Sequence, residues 1–240
     1  MRRLLLALRL LAHTVRRRGL RWTWARLRRL VASRRARRAR TASDRAFDKS
    51  RGVDTAAWVR ITDLETSSPN VKLAVAYEPS RVEDFTFLMQ KLAVDHSEFA
   101  FVDYGSGKGK VLILAADYPF MRIVGVEFSE PLDRIARRNI EAIGPARSRI
   151  ETVVADAVDF RLPDEPLVLY FFNPFEPPVL RRVLERVRDS LQRKPRPAYI
   201  VVTAPAEFIQ VIEESGFSPI DVERNPWSTR GIFAAPRALS

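Results

Sequence analysis

The stretch FAFVDYGSGKGK at residues 99–110, read together with GVEF at 125–128, decides the fold. An apolar run closes on Asp103; Gly105, Gly107 and Gly109 follow on alternate positions with Ser106, Lys108 and Lys110 between them; the next apolar run closes on Glu127. A short apolar run bounded by glycine reads as a buried strand, and the residues after Gly109 as the opening of a helix. Glycines there permit unusual φ values and let a ligand touch the main chain. In an open parallel sheet, ligands collect beyond the carboxyl ends of the strands, so the loop reads as a cofactor seat.

Outward from this point the chain alternates. Strand-like FAFVDY leads to a helical KVLILAADY (110–118), then a strand at 122–128, a helix at 130–143 and strands at 150–157 and 167–173. A helix at 177–193, a strand at 198–204 and a helix at 206–215 capped by Gly216 follow, and 218–224 with 229–236 reads as an antiparallel pair. Strands separated by helices of this length imply right-handed crossovers and a doubly wound, mostly parallel α/β sheet covered on both faces. Before it, Phe85, Leu88, Met89 and Leu92 fall at helical spacing after Pro79 and Ser80, which predicts a core-facing helix at 80–93.

The spacing of the acids selects the ligand. A dinucleotide fingerprint reads G-x-G-x-x-G, whereas this loop reads G-x-G-x-G behind an acid. Asp103 would repel a pyrophosphate and suits a positively charged amino group. Glu127, 18 residues after Gly109 at the end of the second strand, is placed to accept both hydroxyls of a ribose. Asp156 in VVADAVDF is placed to meet an adenine amino group. Amino acid, ribose and adenine together describe S-adenosylmethionine.

On VDYGSGKGK, GVEFSE, ADAVDF and YFFNPF the sequence resembles the class I S-adenosylmethionine-dependent methyltransferases over about residues 75–236. The resemblance implies a seven-stranded sheet in the order 3-2-1-4-5-7-6 with strand 7 antiparallel. It also implies a cofactor site of Asp103, Gly105, Ser106, Gly107, Lys108, Gly109, Glu127 and Asp156. Lys108 and Lys110 stand at a helix N-terminus, which disfavours cations; they point to water, or Lys108 faces the methionine carboxylate. In the family, an Asn or Asp followed by Pro and an aromatic ring accepts hydrogen bonds from a nucleophilic nitrogen. Asn173 and Phe175 match it, and with Tyr77 they are the candidate catalytic residues bordering the acceptor. YEPS at 77–80 is similar to a segment of a protein-lysine methyltransferase branch. Transfer from a sulfonium is an in-line displacement with a neutral leaving group and needs no metal. The acceptor expected is a protein side chain or a small molecule; an RNA methyltransferase and a non-catalytic cofactor-binding module are the alternatives.

Composition narrows the classes further. The chain has 240 residues, 46% of them hydrophobic, enough for one α/β domain with an appendage. It has no cysteine, which excludes disulfides and thiolate chemistry, and its two histidines, His13 and His96, are too few for a histidine-built metal site. The net charge is +12, but residues 1–40 hold fifteen Arg and no acid, so the other 200 residues sum to −3. Any anionic partner is therefore met by the arm and not by the core. Leu4, Leu8, Leu11 and Val15, then Leu20, Trp24, Leu27 and Val31 after Gly19, fall on apolar stripes. Two short basic amphipathic helices follow, suited to an anionic membrane surface or nucleic acid and too short and charged to span a bilayer. The organisation expected is an arm at 1–43 whose end (34–43) is a flexible joint, a cap segment at 44–98 and a methyltransferase core at 99–240. The expected location is cytoplasmic, with the arm as the means of peripheral membrane attachment.

Overall fold

The computed structural model describes residues 39–60, 62, 66, 68–225 and 228–236. The two basic helices expected over residues 1–38 lie outside the described residues. The chain divides into two units, Met1–Ala46 and Phe47–Ser240. Residues 39–51 are helical, so the flexible joint expected over 34–43 does not extend through 39–43. Ala39, Arg40 and Ala42 are good helix formers, and neither Gly nor Pro interrupts them.

Seven strands form one sheet in the order β3-β2-β1-β4-β5-β7-β6. They are β1 (Ala100–Tyr104), β2 (Arg122–Glu127), β3 (Ile150–Val154), β4 (Leu167–Phe172), β5 (Ala198–Ala204), β6 (Ser218–Arg224) and β7 (Thr229–Ala234). The first five pair in parallel, and β7 runs antiparallel to both β5 and β6. The order therefore turns back between β1 and β4, the place where a crevice opens at the carboxyl edge of such a sheet. Side chains alternate across β1: Ala100, Val102 and Tyr104 join one buried cluster and Phe101 the other. Among the described residues, five helices flank the sheet: α1 (Val82–Lys91), α2 (Lys110–Ala115), α3 (Glu130–Ala142), α4 (Pro177–Arg193) and α5 (Ala206–Glu214).

The boundaries differ from those expected where side chains intervene. Helix α1 starts at Val82 with Arg81 at its N-cap rather than at Pro79 and Ser80, and its Phe85, Leu88 and Met89 are buried as expected. Helix α2 ends at Ala115, three residues early. Beyond it the ladder tightens to i→i−3 bonds, from the Asp117 amide to the Leu114 carbonyl at 3.2 Å and from the Tyr118 amide to the Ala115 carbonyl at 3.0 Å, and the Arg149 guanidinium ties down the turn that follows, donating to the carbonyls of Ala116 at 3.0 Å, Tyr118 at 2.9 Å and Phe120. Strand β3 stops at Val154 because Asp156 folds the chain into a turn, accepting from the Val158 amide at 3.0 Å.

Candidate active site

The carboxyl ends of β1, β2, β3 and β4 open into a cleft. Asp103 and Glu127 face it from adjacent strands, each 3% exposed. Both oxygens of Glu127 are already engaged: Oε2 accepts from the Gly107 amide and Oε1 from the Ser129 amide, each at 2.9 Å. Burial pushes its carboxyl up to about 7, against the backbone amides of Ser129, Gly107 and Phe128, which lower it. Burial first, and then the neighbouring Glu127, push Asp103 well above the usual carboxylate range. Two carboxyl groups in one cleft thus hold protons more tightly than they would in water. A ligand that brings positive charge between them would relieve both. Ser106 also lines the cleft, but its Oγ is buried beside Gly125 of β2 and has no hydrogen-bond partner among the described residues.

The glycine loop is bare for two distinct reasons. Gly105, Gly107 and Gly109 all have positive φ, at 77°, 54° and 81°, where an L side chain is strained. Each also faces another part of the protein. A Cβ at Gly105 would lie 2.5 Å from Pro174 Cβ, one at Gly107 2.3 Å from the Tyr77 ring, and one at Gly109 3.1 Å from Ala136 of α3. The room expected for ligand contact is therefore partly taken by Tyr77 and Pro174, and Gly109 is needed for helix packing. Lys108 and Lys110, two cations at a helix start, do not point to water; they are 3% and 2% exposed. The Lys108 ammonium is 3.4 Å from Asp54 Oδ1 and 5.9 Å from the Tyr77 ring centroid, and that of Lys110 is 5.0 Å from the Phe47 ring. Carboxylate and ring faces offset the unfavourable helix end.

A strap, Thr66 with residues 68–80, crosses the mouth. Its Ala74 bridges Phe175, its Leu73 carbonyl accepts from the Glu176 amide at 2.8 Å, and Thr66 Oγ1 donates to the Phe128 carbonyl at 2.9 Å. Asp156 ties the same strap: its Oδ2 accepts from Ser68 Oγ and from Asn70 Nδ2, the latter at 2.7 Å. Burial would raise the Asp156 carboxyl, but the bonds from Ser68, Val158 and Asn70 outweigh it and hold the group below its ordinary value. Asp156 lines the cleft as expected and in addition anchors the strap. We expect Asp156→Ala to speed amide exchange over residues 70–74 by about tenfold or more while exchange in β4 is unchanged, since about 1–3 kcal/mol of anchoring is removed locally. Hydrogen exchange read by mass spectrometry checks it.

All three acceptor-side candidates, Tyr77, Asn173 and Phe175, line the cleft. Asn173 has φ 42°, the only positive φ of a non-glycine residue among the described residues. Backbone strain of this kind persists only where the surroundings enforce it and gathers at functional sites. Phe175 touches the cleft but is 7% exposed, and its ring lies among core aromatics, 6.2 Å from Phe171 and 6.1 Å from Phe208. It is a wall packed from behind rather than a free stacking surface. Phe172, Glu78 and Ser80 also line the cleft and were not expected there. Among the described residues no group of three or more His, Asp or Glu could hold a metal ion, and no helix is long and apolar enough to cross a membrane.

Comparison with known proteins bears on the fold. Residues 101–194, from β1 to the end of α4, match the family model described as Methyltransferase domain. The fold is similar to that of an RNA methyltransferase from Salinibacter ruber, crystallised with S-adenosyl-L-homocysteine. That match has a TM-score of 0.50 and 19% identity, covering 68% of this chain and 96% of that one. It is also similar to a SAM-dependent methyltransferase from Aquifex aeolicus, at a TM-score of 0.51 and 15% identity, covering 66% and 94%. No curated protein matches the sequence. Residues 101–194 thus match a methyltransferase domain, and the sheet order is that of the class I S-adenosylmethionine-dependent methyltransferase fold.

Proposed function

We propose that the cleft under the strap is the place of methyl transfer, with Asp103, Gly105, Ser106, Gly107, Lys108, Gly109, Glu127 and Asp156 forming the cofactor side and Tyr77, Asn173 and Phe175 the acceptor side. One observation carries the reading: two buried carboxyl groups from adjacent strands face a single cleft beside a glycine loop, and both are held away from their ordinary ionisation. S-adenosylmethionine supplies a methyl group on a positively charged sulfur. The residues of the chain do the rest. Glu127 takes the ribose hydroxyls on oxygens already oriented by the Gly107 and Ser129 amides. Asp103 meets the amino group, and Asp156 borders the adenine end. Lys108, paired with Asp54, acts through the loop and not as a free cation toward the methionine carboxylate. Asn173, fixed by its strained backbone and by Pro174, presents a side-chain oxygen to the proton on the acceptor nucleophile, and the Phe175 wall keeps water out. Alignment at close range and exclusion of water supply most of the acceleration in such a displacement.

The acceptor is a protein side chain or a small molecule, because the excess positive charge lies in residues 1–40 and the core that holds the cleft sums to a negative value. The arm is then the means of holding the enzyme at an anionic surface. Incubation with methyl-labelled cofactor and fractionated cell extract tests the reading. The wild type should label a discrete acceptor that survives nuclease treatment. Asn173→Ala should reduce labelling by about tenfold, the loss of one hydrogen bond in the transition state, with cofactor affinity unchanged. Cofactor binding without any labelled acceptor would make the chain a binding module, and label confined to RNA would make it an RNA methyltransferase.

A further inference from the structure

The contacts that join the glycine loop to the segment facing it are made by two residues that do not line the cleft. Asn139 of α3 is 5% exposed, and its carboxamide makes three hydrogen bonds. Nδ2 donates to the Lys108 carbonyl at 2.9 Å and to the Asp54 carbonyl at 3.0 Å, while Oδ1 accepts from the Asp54 amide at 2.8 Å. Asp48 holds the same turn from the other side: its carboxylate accepts from the Thr55 amide at 2.8 Å, the Ala56 amide at 2.8 Å and Thr55 Oγ1 at 2.6 Å. The Thr55 carbonyl, fixed between them, accepts the Tyr77 hydroxyl at 2.9 Å. The Tyr77 ring then lies over Gly107, whose amide is one of the two that orient Glu127.

We propose that Asn139 and Asp48 are positioning residues for the cofactor seat. Through Thr55 and Tyr77 they set the conformation of the loop at Gly107, and with it the aim of the Glu127 carboxylate. This rests on the reading of the cleft as the cofactor site. Only a carboxamide can donate to two carbonyls while accepting from an amide. Aspartate at 139 would set negative charge against the carbonyls of Lys108 and Asp54; alanine would strand all three backbone groups.

The test is cofactor affinity by calorimetry for the wild type, Asn139→Ala, Tyr77→Phe and the double variant, with Arg134→Ala, an exposed residue of the same helix paired to Glu130, as control. Each single change should weaken S-adenosylmethionine by about tenfold, and the double variant by about tenfold again relative to wild type and not a hundredfold, because both act through one chain of contacts. A purely structural role for Asn139 would give multiplied losses, or a loss of thermal stability with affinity intact, and either result overturns the proposal. Should Asn139→Ala fail to fold, Asp48→Ala opens the same turn from its outer side and must show the same non-additivity with Tyr77→Phe. A wild type that binds while all variants bind equally well sinks this inference alone. A wild type with no saturable signal sinks the cofactor site and this inference with it.

Discussion

Glu127→Gln is expected to weaken S-adenosylmethionine binding by about a hundredfold, although the two side chains have the same shape. Each oxygen of Glu127 accepts a backbone amide, from Gly107 and from Ser129. Glutamine offers one oxygen and one NH2 group, so one amide would face a donor instead of an acceptor. The stranded donor costs about 1–3 kcal/mol of stability in the free and bound protein alike, whereas the charge-assisted bonds to the ribose hydroxyls, about 1.5–3 kcal/mol, are lost only in the complex and set the affinity. About 2.7 kcal/mol corresponds to a hundredfold in affinity. The wild type should also show a pH dependence that the variant lacks. With the carboxyl pushed from an ordinary 4.5 up to about 7, the ionised fraction of the free protein grows about tenfold between pH 6 and pH 8, and affinity should rise with it. Stability runs the other way. A carboxyl raised on folding stabilises the folded state below its unfolded value of 4.5, and that contribution, about 3 kcal/mol, is lost as pH rises through about 7. Calorimetric titrations at pH 6, 7 and 8 on both proteins decide the point. A flat wild-type profile would remove the charged carboxylate from the account.

Gly107→Ala should lower stability by about 3 kcal/mol, equivalent to a drop of roughly 6–12 °C in Tm for a chain of this size. Two costs combine. Alanine at φ 54° is strained, and its Cβ would stand 2.3 Å from two carbons of the Tyr77 ring. Gly144→Ala separates them, since Gly144 has φ 67° and nothing within 4 Å of the added atom. It should show only the backbone part, about 1 kcal/mol. Adding Tyr77→Ala to Gly107→Ala should return the clash part and leave the backbone part. Differential scanning calorimetry on the four proteins checks this; equal losses at positions 107 and 144 would mean that the ring yields freely.

The sheet and its cofactor edge were legible because they are written in local periodicity. The runs 99–104, 122–127 and 167–172 are apolar and end beside glycine, acid or Asn-Pro, and each is a buried strand whose end faces the cleft. Contacts that join distant segments left weaker marks. Asn70 and Asp156 are 86 residues apart, and Asn139 and Asp54 are 85 apart, so no window of sequence displays either pair. A hint exists for Asn139: it follows Leu132 and Ala136 on the buried stripe of α3, where a polar residue must find partners. Ser68 before Pro69 carries the signature of a helix cap, but not its second task of holding Asp156. The two lysines were misjudged by the helix-dipole rule alone, since Asp54 and the rings of Tyr77 and Phe47 arrive from the segment at 47–77. Phe175 was legible from its motif as a residue at the cleft, but the Phe208 ring that α5 brings to 6.1 Å from it was not.

The Tyr77 ring resting on Gly107 couples two positions that lie 30 residues apart. Natural drift at one of them is constrained by the identity of the other. A lineage that exchanged the aromatic group for something smaller would relax the demand for a hydrogen atom at 107, whereas one that gained a methyl group there first would be purged unless the ring had already gone. Substitutions at this pair should therefore have been fixed in a preferred order, ring before glycine, through intermediates whose loop is looser than the one seen today.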